Sequence, residues 1–150
     1  MELIKRITTL IFAATALLAV SCESPTEEEL PQSMDVTYSA LDGAWQLTAW
    51  QGKPLAEGLY CYVAFNGETR RFEMHDNLGS MYDNLTTGSF SLEQDDTKRY
   101  IISGTYDNGV GDWNSAYVVT MPKGGDSMVW SSTTSDDLST YRRIDAIPEL

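Results

Sequence analysis

Basic residues are scarce in this chain. Lysine and arginine together number 10 against 22 aspartates and glutamates, and the formal net charge is −12. Such a chain offers no electrostatic footprint for nucleic acid and no attraction to anionic lipid. Histidine occurs once, as His75. A hydrolytic triad needs a nucleophile and an oriented base, and nothing beside His75 completes one. Asp76 is its neighbour, but adjacent residues on a strand point to opposite faces. His75 therefore reads as a surface histidine. Asp107, Gly109, Gly111 and Asp112 hint at a calcium loop, yet such a loop needs more oxygens at alternate positions. No metal, no cofactor and no enzymatic activity are expected. Repeats at solenoid spacing are absent, as is any helix-period segment beyond the first twenty or so residues.

The start of the chain reads as an address. Lys5 and Arg6 precede an apolar run over 7–20 that is too short for a comfortable membrane span. Ala19-Val20-Ser21-Cys22 resembles a lipoprotein cleavage box, with Ser21 as the small residue before the cysteine. Ala19 stands where such boxes usually carry leucine, with Leu18 just ahead. Residues 1–21 are thus expected to be a lipoprotein signal peptide, and Cys22 the acylated N-terminus. The expected location is the outer membrane, on its periplasmic face or at the cell surface, with attachment through lipid on Cys22. The alternative is a soluble secretory signal with an incidental cysteine.

Cysteine is nearly as rare as histidine, and Cys61 is the only one left. An acylated Cys22 cannot form a disulfide with it. Cys61 lies in an aromatic and β-branched run and reads as a buried small hydrophobe. No cationic residue adjoins it in sequence to activate the thiol. Residues 22–39 carry Pro25, Pro31 and the run Glu27-Glu28-Glu29 without sustained periodicity, and read as an acidic flexible tether. Acids this soon after a lipidated cysteine resemble an export signal for surface lipoproteins in some Gram-negative bacteria. The alternative is a solvated spacer.

What the chain has in plenty is alternation. In 41–50, Trp45, Leu47 and Ala49 fall on one face and Ala44, Gln46, Thr48 and Trp50 on the other. Further strands are expected over 59–65, 69–75, 88–93, 98–105, 113–121, 126–131 and 138–144. Asn66-Gly67 predicts a two-residue hairpin, since both central positions favour positive φ. The longest connection is expected over 76–87. Its apolar residues make it either a lid or a surface loop pinned by Leu78 and Tyr82.

About eight strands joined by hairpin-length links predict an all-β fold, an eight-stranded antiparallel up-and-down β-barrel. It occupies 40–146, with 147–150 as a tail. The tight links follow the second, fourth and sixth strands, so they share one end with Trp45 and the tether. The long links make a mouth at the other end.

Gly43 and Trp45 resemble the Gly-x-Trp signature of the lipocalin family, in which an arginine on the last strand packs against the tryptophan. Arg142 or Arg143 would take that part through a cation–π contact. Gly43, Trp45, Arg142 and Arg143 are thus the expected barrel-closing residues. The chain is shorter than typical lipocalins and has no helix after its last strand, so it is more similar to compact lipocalin-like bacterial lipoproteins. The resemblance implies a binding protein for a small apolar or amphipathic molecule. Trp45, Phe72, Met74, Phe90, Tyr100, Tyr117 and Trp130 are the lining candidates, with faces uncertain by one residue of register.

The mouth links carry Glu57, Asp76, Asp83, Asp107, Asp112, Asp136 and Asp137 against one cation, Lys53. Unless Arg70, Arg71 or Arg99 reaches inside, any ligand is therefore expected to be neutral or cationic. Two alternatives stand beside this reading. One is a filled barrel acting as a cell-surface accessory protein or inhibitor through its acidic loops. The other is a glycan binder, or a carbohydrate-active enzyme, using an exposed Trp50 or Trp113.

Overall fold

A computed structural model describes residues 32–150. The expected signal segment 1–21, Cys22 and the tether as far as residue 31 lie outside the described residues. A short helix α1 (Tyr38–Leu41) leads into β1 (Gly43–Trp50) and β2 (Lys53–Pro54). Then follow β3 (Cys61–Asn66), β4 (Arg71–Asp76), β5 (Asn84–Gln94), β6 (Tyr100–Tyr106), β7 (Tyr117–Thr120), β8 (Ser127–Ser132) and β9 (Leu138–Ile144).

β1 pairs with β3, each later strand pairs with the next, and β9 returns to pair with β1. The result is a closed eight-stranded antiparallel barrel, as the strand count predicted, with β2 added as a two-residue strand on the end of β1. Closure leaves no long unpaired edge on the wall. Inward-facing side chains fill the lower barrel: Val63, Phe65, Phe72, Phe90, Ile102, Val119 and Met128 are all buried. Phe65 and Phe90 meet edge to face, with ring centres 4.8 Å apart. Each such side chain contributes roughly 1.5–3 kcal/mol by leaving water.

The entry to β1 explains its sequence. Gly43 adopts φ +111°, which a side chain would strain, and a Cβ there would lie 3.0 Å from an Arg143 nitrogen. Trp45 is fully buried and donates through Nε1 to Leu41 O at 2.9 Å. Arg143, not Arg142, covers its ring. Arg142 points outward to Gln46.

Several local expectations need correction. Residues 32–39 are not a spacer: Val36 is buried and Met34 N donates to Met121 O at 2.9 Å. Thr37 caps α1 by accepting from Ala40 N, so the expected first strand begins two residues late, at Gly43. The segment has no periodicity to read because its partners are barrel residues far along the chain.

Asn66-Gly67 opens a longer turn than expected, since β3 pairs Asn66 with Arg71. Arg70 takes the left-handed conformation there, and the Tyr38 carbonyl lies against Gly67. β5 starts earlier than expected, which shortens the long connection to 77–83. β7 is shorter than expected and starts only at Tyr117.

The 32–41 segment straps across the end that carries the tight hairpins. Tyr38 OH takes the Leu92 N–H at 2.9 Å, its ring lies 5.5 Å from that of Phe90, and the Arg70 guanidinium sits 4.6 Å from its ring centre. Lys123 N donates to Gln32 O at 2.8 Å. All three tight hairpins thus meet this strap, and the barrel is plugged at the Trp45 end.

Candidate functional site

At the opposite end the strands stop around a cavity of about 350 Å³. Its floor is Leu47, Cys61, Trp130 and Tyr141, all buried; Met74, Tyr106, Trp113 and Tyr117 rise around it. Trp50, Leu78, Asn114, Asp137 and Ser139 form the rest of the wall. Another hollow, of about 340 Å³, lies beside Asn66, Arg71 and Glu73.

Two local irregularities build this site. The first is in β1. Its pairing with β9 slips between Leu47 and Ala49, leaving Thr48 as an extra residue whose hydroxyl donates to Thr140 O at 3.1 Å. A bulge of this kind re-aims the side chains that follow it. Strict alternation puts Trp50 on the outer face; beyond the slip it lines the cavity, 51% exposed at the rim.

The second is the link between β6 and β7. Trp113 N donates to Gly104 O at 2.8 Å, and a Cβ on Gly104 would fall 2.2 Å from the Trp113 ring. Glycine at 104 is what lets the indole lie against the wall inside the mouth. The ring stacks on Trp130 at 5.5 Å and meets Phe72 edge to face at 5.1 Å. Trp113 is therefore not the exposed glycan-binding tryptophan the sequence suggests. Its Nε1 hydrogen is buried and finds no acceptor among the described residues.

Of the seven lining candidates, Met74, Tyr117 and Trp130 border the cavity. Trp45 lies at the plugged end, and Phe72 and Phe90 are packed in the core, so these three do not line it. Tyr100 does not either. It lies at the start of β6, at the plugged end, and its hydroxyl donates to Asp35 at 2.7 Å, which raises its pKa. Trp50, Trp113, Tyr106 and Tyr141 are lining residues that alternation did not single out.

Burial, and then the nearby Asp76 charge, push the Cys61 thiol up to about 12. Burial holds the Tyr141 hydroxyl well above its ordinary range. His75 sits outside the cavity, half-buried, with Nδ1 2.8 Å from the Asp83 carboxylate. Asp107 is paired with Arg71 and takes the Thr87 hydroxyl, so it is committed to the outer wall. No group of acids, cysteines or histidine poised to hold a metal occurs among the described residues.

Residues 41–130 match the profile of the lipocalin-like domain family. The chain belongs to that family. The matched stretch opens one residue before the turn into β1 and closes at Trp130 on the cavity floor. The remaining strand, β9, supplies Tyr141 and Arg143 to complete the lipocalin-like barrel. No curated protein matches the chain. The lipocalin-like barrel is typically a binding fold rather than an enzymatic one, and it points to small-ligand binding in general.

Proposed function

We propose that this lipocalin-like protein is lipid-anchored and holds one small apolar or amphipathic molecule, neutral or cationic, in its mouth. The observation that carries the reading is the make-up of the cavity wall. Six aromatic rings, those of Trp50, Tyr106, Trp113, Tyr117, Trp130 and Tyr141, surround about 350 Å³, and no lysine or arginine lines it among the described residues. Pockets for small ligands are largely apolar, with a few placed polar groups. Here Asn114, Asp137 and Ser139 are those groups. A free carboxylate has no cation to meet and one anion to avoid.

Native mass spectrometry of the protein from its own host tests this. The expected result is a co-purifying small molecule that is lost on Trp130→Ala. Tight binding of a simple long-chain carboxylate, abolished by neutralising its head group, would contradict the charge reading. Anchoring rests on the cleavage box before Cys22, and the outer membrane is the proposed location. Mass analysis of the mature N-terminal peptide should show an acylated Cys22, and Cys22→Ala should release the protein from membranes.

A second reading has one observation in its favour. Met81 and Tyr82 are 89% and 78% exposed on the link beside the mouth, with Leu78 turned onto the cavity. Tyr82 is therefore no pin for that loop. Side chains of this kind on a loop suit a protein or glycan partner. A Met81→Ser, Tyr82→Ser double variant that loses a surface partner but keeps its small molecule would favour this reading.

A further inference from the structure

The mouth is acidic as well as aromatic. Asp137 is the one carboxylate on the cavity wall. Its oxygens take hydrogen bonds from Gln51 Nε2 and Ser135 Oγ, each at 2.9 Å. Both donors are neutral and leave the charge unbalanced. Lys53, the sole cation of the mouth links, is exposed and does not reach the wall.

Three groups on the wall are raised, chiefly by burial, with a nearby carboxylate adding to each. Tyr117 is raised by burial and then by Asp137. Tyr106 and Cys61 are raised by burial and then by Asp76. Asp137 on the wall and Asp76 near it both add negative charge, and no lysine or arginine lines the cavity among the described residues.

The rings add to the same preference. Trp130 is the hub of a contiguous cluster, 5.5 Å from Trp113, 5.5 Å from Tyr117 and 4.9 Å from Tyr141. The face of an aromatic ring is electrically negative and attracts a cation, most strongly where water is excluded. An alkylated ammonium group is weakly hydrated and apolar on its surface. It can exchange its water for these rings and still meet a counter-charge.

We propose that the cavity takes a compact organic cation, a methylated or quaternary ammonium group lying against the cavity side of the packed cluster of Trp113, Tyr117 and Trp130, with Asp137 as its counter-ion. This rests on the reading of the cavity as the ligand site and narrows that reading to one charge. The volume sits near the low end of the roughly 300–1,000 Å³ common for ligand pockets, which favours a compact molecule.

The test is a matched set of probes titrated into the full chain by calorimetry and tryptophan fluorescence. Phenyltrimethylammonium carries the charge; tert-butylbenzene is its uncharged counterpart of the same shape. The cation should bind at least about tenfold more tightly. Asp137→Asn should remove much of that preference and leave the neutral probe unchanged. If that variant does not fold, Trp50→Leu at the exposed rim serves instead, and should weaken the cation more than the neutral probe. Equal affinities for the two probes overturn the cation proposal while leaving an apolar site in place. No response to either probe overturns the ligand site as well.

Discussion

The guanidinium of Arg143 lies 4.2 Å from the centre of the Trp45 ring. The same group donates to Ala40 O at 2.6 Å, Asp42 O at 2.7 Å and Gly125 O at 3.1 Å. One side chain of the last strand thus ties the first strand, the helix before it and the β7–β8 hairpin together. Arg143→Ala should cost about 2–4 kcal/mol, from three charge-assisted hydrogen bonds and a partly desolvated cation–π contact. Arg142→Ala removes only two exposed hydrogen bonds to Gln46 and should cost less than about 1 kcal/mol. Urea unfolding of the two variants checks the contrast, and equal losses would refute it.

The strap makes a second prediction. Val36 is 2% exposed beneath the plugged end, whereas Ser33 is exposed. Val36→Asp should destabilise by at least about 2 kcal/mol, because it buries a charge with no partner. Ser33→Asp should change little. If thermal unfolding shows both changes to be silent, residues 32–39 are a spacer after all.

These two regions mark the limits of what the sequence reveals. Trp45 and its closing arginine were legible through the resemblance to the lipocalin Gly-x-Trp signature, which left Arg142 and Arg143 both open; Arg143 takes the part. The strap was not, because Val36 and Leu41 are held by residues far away in sequence. The cavity was half legible for a related reason. Alternation says which side chains point inward, and Phe72, Met74, Phe90 and Trp130 all do. It does not say how deep along the barrel they sit, since depth depends on stagger between strands. Phe72 and Phe90 therefore fell in the packed half and Met74 and Trp130 at the mouth. Trp50 was misplaced by a single extra residue, Thr48. Nothing in the period-2 pattern marks that slip.

Trp113 gives a third prediction, because its seat exists only where Gly104 has no side chain. Gly104→Ala puts a methyl group into the indole, so either the ring or the wall must move. We expect a loss of about 1–3 kcal/mol, a red-shifted tryptophan emission and a weakened probe response in the cavity. The double change Gly104→Ala with Trp113→Ala should cost less than the two single costs added together, since the clash vanishes with the ring. Strict additivity in a double-mutant cycle would show that the two residues do not share this space.

Cys61 supplies the last prediction, and its sign can be worked out. Burial, with Asp76 adding to it, raises the thiol from an ordinary value near 9 to about 12. The folded protein therefore holds the proton more tightly than the unfolded chain. The stability this contributes is fully present below about pH 9 and is lost as pH rises toward about 12. Buried Tyr141 and half-buried Tyr117 of the cavity wall are raised too and act in the same direction. A Cys61→Ala variant isolates the thiol. Its stability should fall less steeply than that of the wild type between pH 9 and 12, as read by urea unfolding at each pH. Iodoacetamide at pH 8 should leave Cys61 unmodified in the native protein and label it once urea has unfolded the chain. Rapid labelling of the native thiol would mean that the cavity floor is open to solvent, contrary to the 4% exposure of Cys61.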